Sequence, residues 1–345
     1  LEEGEFVPGE YNWNTPAYEV VTKESLGIDK VFDDEALTQI SKLSPMFTGG
    51  VESGLNRAYL GAAANYVSRK AGDETVFIVK NAPELKTALE LAIGGDVIEL
   101  ENNTEDPLGV YQLGITGFNY PNTGGKLIIR NAEGHKPVLF GNIAPNNSDL
   151  NLDELLIDGL NWNDPTLLDS VRITGYNADS YSPFYFQNKN GYIGLFRITN
   201  STFENLEMQA VIRANKCYDE GAGTGLTIGK IVMDFNEFNN FGGATEDGKV
   251  AFHFIQFDVK GAYTINNFEF VENVVKNFHG SQMFNISREG ALNPADSTIN
   301  IKISNNVFYK VGGNANDKYR NFLEFNKTPV GFDVNIDITN NIFYK

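Results

Sequence analysis

Residues Ile301 to Lys310 read IKISNNVFYK, and residues Ile336 to Lys345 read IDITNNIFYK. Looser copies stand upstream at Phe268 to Asn277 (FEFVENVVKN), Ile231 to Asn240 (IVMDFNEFNN) and Phe196 to Asn205 (FRITNSTFEN), with a fainter one at Leu155 to Trp162 (LLIDGLNW). Taking the aromatic near the end of each copy as a register mark aligns Trp162, Phe203, Phe238, Val275, Phe308 and Phe343, at steps of 41, 35, 37, 33 and 35 residues. Two residues before the mark stand Leu160, Ser201, Asn236, Asn273, Asn306 and Asn341. Five before it stand Ile157, Ile198, Met233, Phe270, Ile303 and Ile338. Self-similarity at this period is the mark of a solenoid or propeller.

Within each copy the apolar residues alternate, as a strand requires, and no copy carries a helical spacing. Helical repeats are thereby excluded, and a leucine-rich repeat lacks its leucines. A propeller blade needs four strands joined by hairpin turns in a similar length. Here an Asn-Asn pair recurs inside the strand-like copy instead, where stacked side-chain amides can satisfy bent backbone from one coil to the next. The expected fold is therefore all-β, a right-handed single-stranded parallel β-helix of about eight coils running from Asp96 to the end. The marked residues should form one inward column.

Upstream the pattern changes. Residues 1 to 73 do not join the repeat and read as an N-terminal arm and capping region, with 74 to 345 as the β-helix domain. Val76 to Val79 reads as a strand. Pro83 opens a helix whose Leu85, Ala88, Leu89 and Ala92 fall on one face, and Gly94 and Gly95 stop it. An amphipathic helix laid across the first coil would cover its apolar end and its unpaired strand edge. At the other end the last copy stops directly after a strand. We expect that edge to be covered by residues 1 to 70 folding back, by a dimer partner, or by residues beyond Lys345.

A formal charge of −18 makes nucleic acid an unlikely partner, because phosphate binding calls for a basic field. No apolar run approaches the length of a membrane span. The single cysteine, Cys217, cannot form an internal disulfide, and His135, His253 and His279 lack metal-ligand spacing. Leu1 in place of an initiator Met is compatible with a removed leader, and the expected location is extracellular or on the cell surface.

Two stretches, Ile78 to Leu100 (IVKNAPELKTALELAIGGDVIEL) and Lys126 to Gly141 (KLIIRNAEGHKPVLFG), resemble the opening of pectin-lyase-like right-handed parallel β-helix proteins. The Asn-rich repeats downstream are similar to the coils of that superfamily. The repeated N-N-x-F-Y-K also resembles uncharacterised pectate-lyase-like surface proteins of Bacteroidetes. The resemblance covers about residues 74 to 345 and implies a fold more firmly than a chemistry.

Each coil has a second strand-like segment: Phe184 to Lys189, Val211 to Lys216, Phe252 to Phe257, Met283 to Arg288 and Phe322 to Lys327. Aligned on their first residues, they place Lys189, Lys216, Phe257, Arg288 and Lys327 in one column beside Asn188, Asn215, Gln256, Ser287 and Asn326. A cation column on an acidic chain could hold an anionic polymer by charge and paired hydrogen bonds. It could equally be lysines reaching water at strand ends.

The superfamily contains uronate lyases, in which an Arg or Lys base removes the proton beside a carboxylate whose charge a cation neutralises. That resemblance makes Arg288 and Lys216 candidates for base or carboxylate clamp, with Arg213, Lys327 and Lys189 as substrate-binding neighbours. Ca²⁺, which relatives hold with carboxylates, has no clear motif here: in the column four before each mark, Asp158 and Asp234 are separated by Thr199. Trp162, Tyr176, Tyr181, Tyr185, Tyr192 and Tyr218 lie near the long loops, and Tyr176, Tyr181 and Tyr218 are candidates for stacking on sugar rings. The expected partner is a polysaccharide carrying uronic acids, whether cleaved by β-elimination or only bound, and a structural or adhesive surface protein is the third possibility.

Overall fold

The computed structural model describes residues 76–114, 117–120, 122–147, 149–164, 182–188, 190–207, 210–214, 217–219, 224–242, 245–246, 249–250, 256–258, 264–278, 282–286, 298–311, 321–324 and 333–344. Three sheets build the described coils, and every ladder joining one coil to the next is parallel. The first sheet stacks nine strands in sequence order, from Val76–Val79 and Val97–Leu100 to Thr298–Ser304 and Asp333–Thr339. The second sheet has eight strands, from Val110–Gly114 to Ile342–Tyr344, and the third has five, from Phe184–Phe186 to Asn321–Glu324. Among the described residues, the coils from Asn151 to Glu324 take one strand from each sheet and the others one from each of the first two, so the architecture is the parallel β-helix that the repeat predicts. Its eight first-sheet strands from Val97 onward match the coil count.

The register marks are paired residues. Trp162, Phe203, Phe238, Val275, Phe308 and Phe343 are successive Cα partners in the second sheet. All but Phe343 are fully buried, because residues at one position of a parallel stack share a face. Trp162 stacks on Phe203 at 5.0 Å, Phe203 on Phe238 at 4.8 Å and Phe308 on Phe343 at 4.8 Å. Val275 breaks the column, and Phe270 from the first sheet fills the gap, with its ring centroid 5.7 Å from Phe238 and 6.3 Å from Phe308. Packing of this density is what a filled solenoid core needs.

The turn between the first and second sheets explains the recurring asparagines. Asn200, Phe235, Glu272, Asn305 and Asn340 hold φ between 50 and 58° there, a left-handed conformation that Asn tolerates best among residues with side chains. The next residue points inward and bridges coils. The backbone N–H groups of Ser201, Asn236, Asn273 and Asn306 donate to the side-chain oxygens of Asn236, Asn273, Asn306 and Asn341 at 2.8 to 3.0 Å. The amides of Asn236, Asn273, Asn306 and Asn341 in turn donate to the carbonyls of Ile198, Met233, Phe270 and Ile303 at 2.7 to 2.9 Å. A sharp bend inside an apolar core would otherwise leave these backbone groups unpaired.

The helix α1 spans Ala82–Leu91, within about two residues of the expected Pro83 to Ile93. Asn81 caps it by accepting from the Glu84 N–H at 2.9 Å, while the Glu84 carboxylate accepts from Lys80 N at 2.8 Å. Leu85, Ala88 and Leu89 are buried against the first coil. At the far end Ile336, Ile338 and Phe343 are 49%, 43% and 55% exposed. Residues 1 to 70, one of the three covers expected for that end, lie outside the described residues.

Candidate functional site

The cations singled out from sequence follow strands of the third sheet in the chain, and the register of that sheet differs from the alignment used to choose them. Phe184, Ile212, Phe257, Phe284 and Leu323 are successive partners. Phe257 therefore stands mid-strand, level with Ile212 and Phe284, and is not a gap in a cation column. Counted along the chain from those partners, Lys216, Arg288 and Lys327 share an offset of four residues, whereas Lys189 lies at five. Arg288, Lys216, Lys189, Lys327, Tyr176 and Tyr181 lie outside the described residues, and Tyr218 is described only as backbone of the strand Tyr218–Asp219.

Arg213 is the site residue whose side chain is described, and it is not isolated. It follows Ile212 at the next register position, where Tyr185, Arg213, Asp258, Asn285 and Glu324 pair in turn. The Arg213 guanidinium carbon lies 4.6 Å from the centroid of the Tyr185 ring, and both side chains are partly exposed. An aromatic plane backing a guanidinium holds the fork of donors in one orientation, which suits a planar carboxylate. The column is mixed in sequence, with Asp258 and Glu324 at the same register position; the basic column expected from sequence is a different one, and its cations lie outside the described residues. Of the other aromatics, Trp162 is buried in the core under Phe203, and Tyr192 is exposed on the first sheet. They do not join Tyr185 in one platform.

Two other faces carry charge. On the first sheet Lys126 pairs with Glu154 at 2.9 Å, Lys230 with Glu269 at 2.8 Å, Arg130 with Glu99, and Arg197 with Asp234 through its Nε at 3.1 Å. Burial lowers Arg130 to a pKa of about 10 and raises the Asp158 carboxyl, the latter against a hydrogen bond from Asn200 and the nearby charges of Arg130 and Arg197. The second sheet holds a nearly buried ion pair between Lys276 Nζ and Glu237 Oε1 at 2.8 Å, with Glu204 beside it. This pair was missed in the sequence, although its signal was available: Glu237 stands one residue before its register mark and Lys276 one after, which makes them diagonal neighbours on adjacent coils.

Burial is the main cause that raises the Glu204 carboxyl above its ordinary value of 4.5, with Glu237 pushing the same way and Lys276 and Asn239 opposing. An acid raised in the folded state binds its proton more tightly when folded. Its ionisation therefore costs stability above the folded pKa and costs nothing below 4.5. Glu204→Gln is expected to raise the unfolding midpoint at neutral pH, with the gain fading as the pH falls towards that value. Thermal scans of both proteins across the pH range check this, and a loss of stability at neutral pH would contradict it.

No protein-family model matches the chain, and no curated protein does. Among solved structures it is similar to PL6 family alginate lyase AlyGC, with 16% identity and a TM-score of 0.37, over 80% of this chain and 40% of that one. A point mutant of the same enzyme matches at 16% and 0.35, over 81% of this chain and 40% of that one. An alginate lyase from Paenibacillus sp. str. FPU-7 matches at 13% and 0.29, over 78% of this chain and 97% of that one. The chain thus spans about 40% of the length of the first two. Identities and scores this low carry no argument about chemistry, and the parallel β-helix rests on the strand pairing itself. The pectin-lyase-like and Bacteroidetes resemblances gain no support from them. No helix among the described residues is long and apolar enough to cross a membrane.

Proposed function

We propose that this chain is an exported protein that binds a polysaccharide carrying uronic acids along the outer face of the third sheet. The Arg213 guanidinium fixed over the Tyr185 ring supports this reading. It joins a carboxylate-binding fork to an aromatic surface on the sheet from which Lys216, Arg288 and Lys327 follow in sequence. Parallel coils repeat the face about every 4.8 Å, which suits an extended chain laid along or across them. Lys216 and Arg288 are the residues we assign to a base and carboxylate clamp if elimination follows binding.

The experiment is a panel of polyuronates and neutral glucans, each offered with and without Ca²⁺, recording affinity together with the ultraviolet absorbance of unsaturated uronates. Binding to polyuronates, weakened by salt as a charge-assisted contact should be, is the expected result. Growth of absorbance that is lost in Arg288→Ala or Lys216→Ala would add a lyase activity to the binding. Failure to bind any acidic polymer would overturn the proposal and favour a structural or adhesive role.

A further inference from the structure

We propose a cation site, of a kind suited to Ca²⁺, where the first sheet turns into the second, formed by the Asp158 carboxylate, the Thr199 hydroxyl and the Asn200 side-chain carbonyl. It lies on a different face from the third-sheet candidate and does not depend on the glycan reading. Thr199 is the Cα partner of Asp158 on one neighbouring coil and of Asp234 on the other. Ile198 before it is buried in the core, so Thr199 takes the outward position between the two acids. Thr199 is nevertheless only 5% exposed, and its Oγ1 has no hydrogen-bond partner. The adjacent Asn200 Oδ1 is also buried and unpartnered. A buried polar oxygen left unpaired costs about 1 to 3 kcal/mol, and here two of them sit beside a carboxylate.

The charges leave room for a cation. Glu99 holds Arg130, and Asp234 holds Arg197 through two hydrogen bonds. Asp158 makes no ion pair among the described residues, so three carboxylates face two guanidinium groups and one negative charge is left over. The amide of Asn200 is placed with its nitrogen 2.8 Å from Asp158 Oδ1. The oxygen and nitrogen of an Asn amide can exchange places with little other movement. Turned over, Asn200 gives up that hydrogen bond and presents Oδ1 on the side of Asp158, so that both oxygens face one ion while Nδ2 takes the place Oδ1 held. A set made only of carboxylate, hydroxyl and amide oxygens is hard, suits Ca²⁺ with water completing the shell, and gives a transition metal no nitrogen or sulfur.

The test uses the full chain, stripped with a chelator and then titrated with CaCl2 while heat and thermal unfolding are followed. Saturable binding with a rise in the unfolding midpoint is expected, because a ligand of the folded state stabilises it. Asp158→Asn and Thr199→Val should each weaken that Ca²⁺ effect about tenfold or more, since loss of a ligand or its support costs at least that. Asp149→Asn, an exposed carboxylate elsewhere, should leave it unchanged. Thr199→Val preserves shape and carries the test if Asp158→Asn does not fold. No Ca²⁺-dependent shift in the wild type, or an equal shift in both variants, overturns the proposal and assigns the orphan oxygens to ordered water.

Discussion

Asn273→Ala is expected to destabilise the folded chain by about 3 to 5 kcal/mol, the sum of several buried hydrogen bonds left half made. Asn273 Oδ1 accepts from Asn236 N at 2.9 Å, and its Nδ2 donates to the carbonyls of Met233 at 2.9 Å and Val271 at 3.0 Å. Asn273 is 1% exposed and Asn236 fully buried, so no water replaces the lost amide without opening the coil. Asn341→Ala is the comparison. That residue makes the same contacts with Asn306 N and Ile303 O but lies partly exposed in the last described coil, where water can substitute. Its loss should cost about 1 kcal/mol or less. Denaturant titrations of the two variants check the contrast, and equal costs would mean that the asparagine ladder does not hold the coils together.

Phe238→Ala should be comparably costly, about 3 to 5 kcal/mol, because the cavity it leaves is walled on every side. Phe203 stacks on it at 4.8 Å, while Phe241 and Phe270 both lie at 5.7 Å. Phe343 occupies the same column but is 55% exposed, so Phe343→Ala should cost about 1 kcal/mol or less. In a solenoid each coil is stabilised chiefly by its neighbours, and truncations at adjacent marks should therefore couple. Phe203→Ala combined with Phe238→Ala is expected to depart from additivity, whereas Phe203→Ala combined with Phe343→Ala is not. Full additivity of the first pair would argue against stacking as the source of stability.

The first two sheets were legible because their strands carry three coincident signals: alternation, an aromatic mark and the asparagine of the turn. Together these fix the register to the residue, as the partnership of Trp162 with Phe203 and Phe238 shows. The third sheet offers only short runs of apolar residues between loops of unequal length. Val211 and Ile212 are both apolar, and Phe252, Phe254, Ile255 and Phe257 put apolar residues in both phases, so alternation does not fix the register there. That is why the cation alignment failed to hold at Lys189 and Phe257. The outward faces were harder still, since a pair such as Lys276 and Glu237 exists only once neighbouring coils are set diagonally side by side. The Asp158 column was visible, but the orphan oxygens of Thr199 and Asn200 that give it interest depend on burial, which the sequence does not display.

The proposed binding face can be mapped directly. The decisive measurement is the affinity of one polyuronate for the wild type, for Arg213→Ala, for Tyr185→Leu and for Lys230→Ala, at low and moderate salt. Arg213→Ala should weaken binding about tenfold or more, as the loss of a charge-assisted fork implies. Tyr185→Leu should weaken it less, and Lys230→Ala, on the first sheet and paired with Glu269, should leave it unchanged. Undiminished affinity in Arg213→Ala alongside a loss in Lys230→Ala would place the polymer on the wrong face and contradict the account.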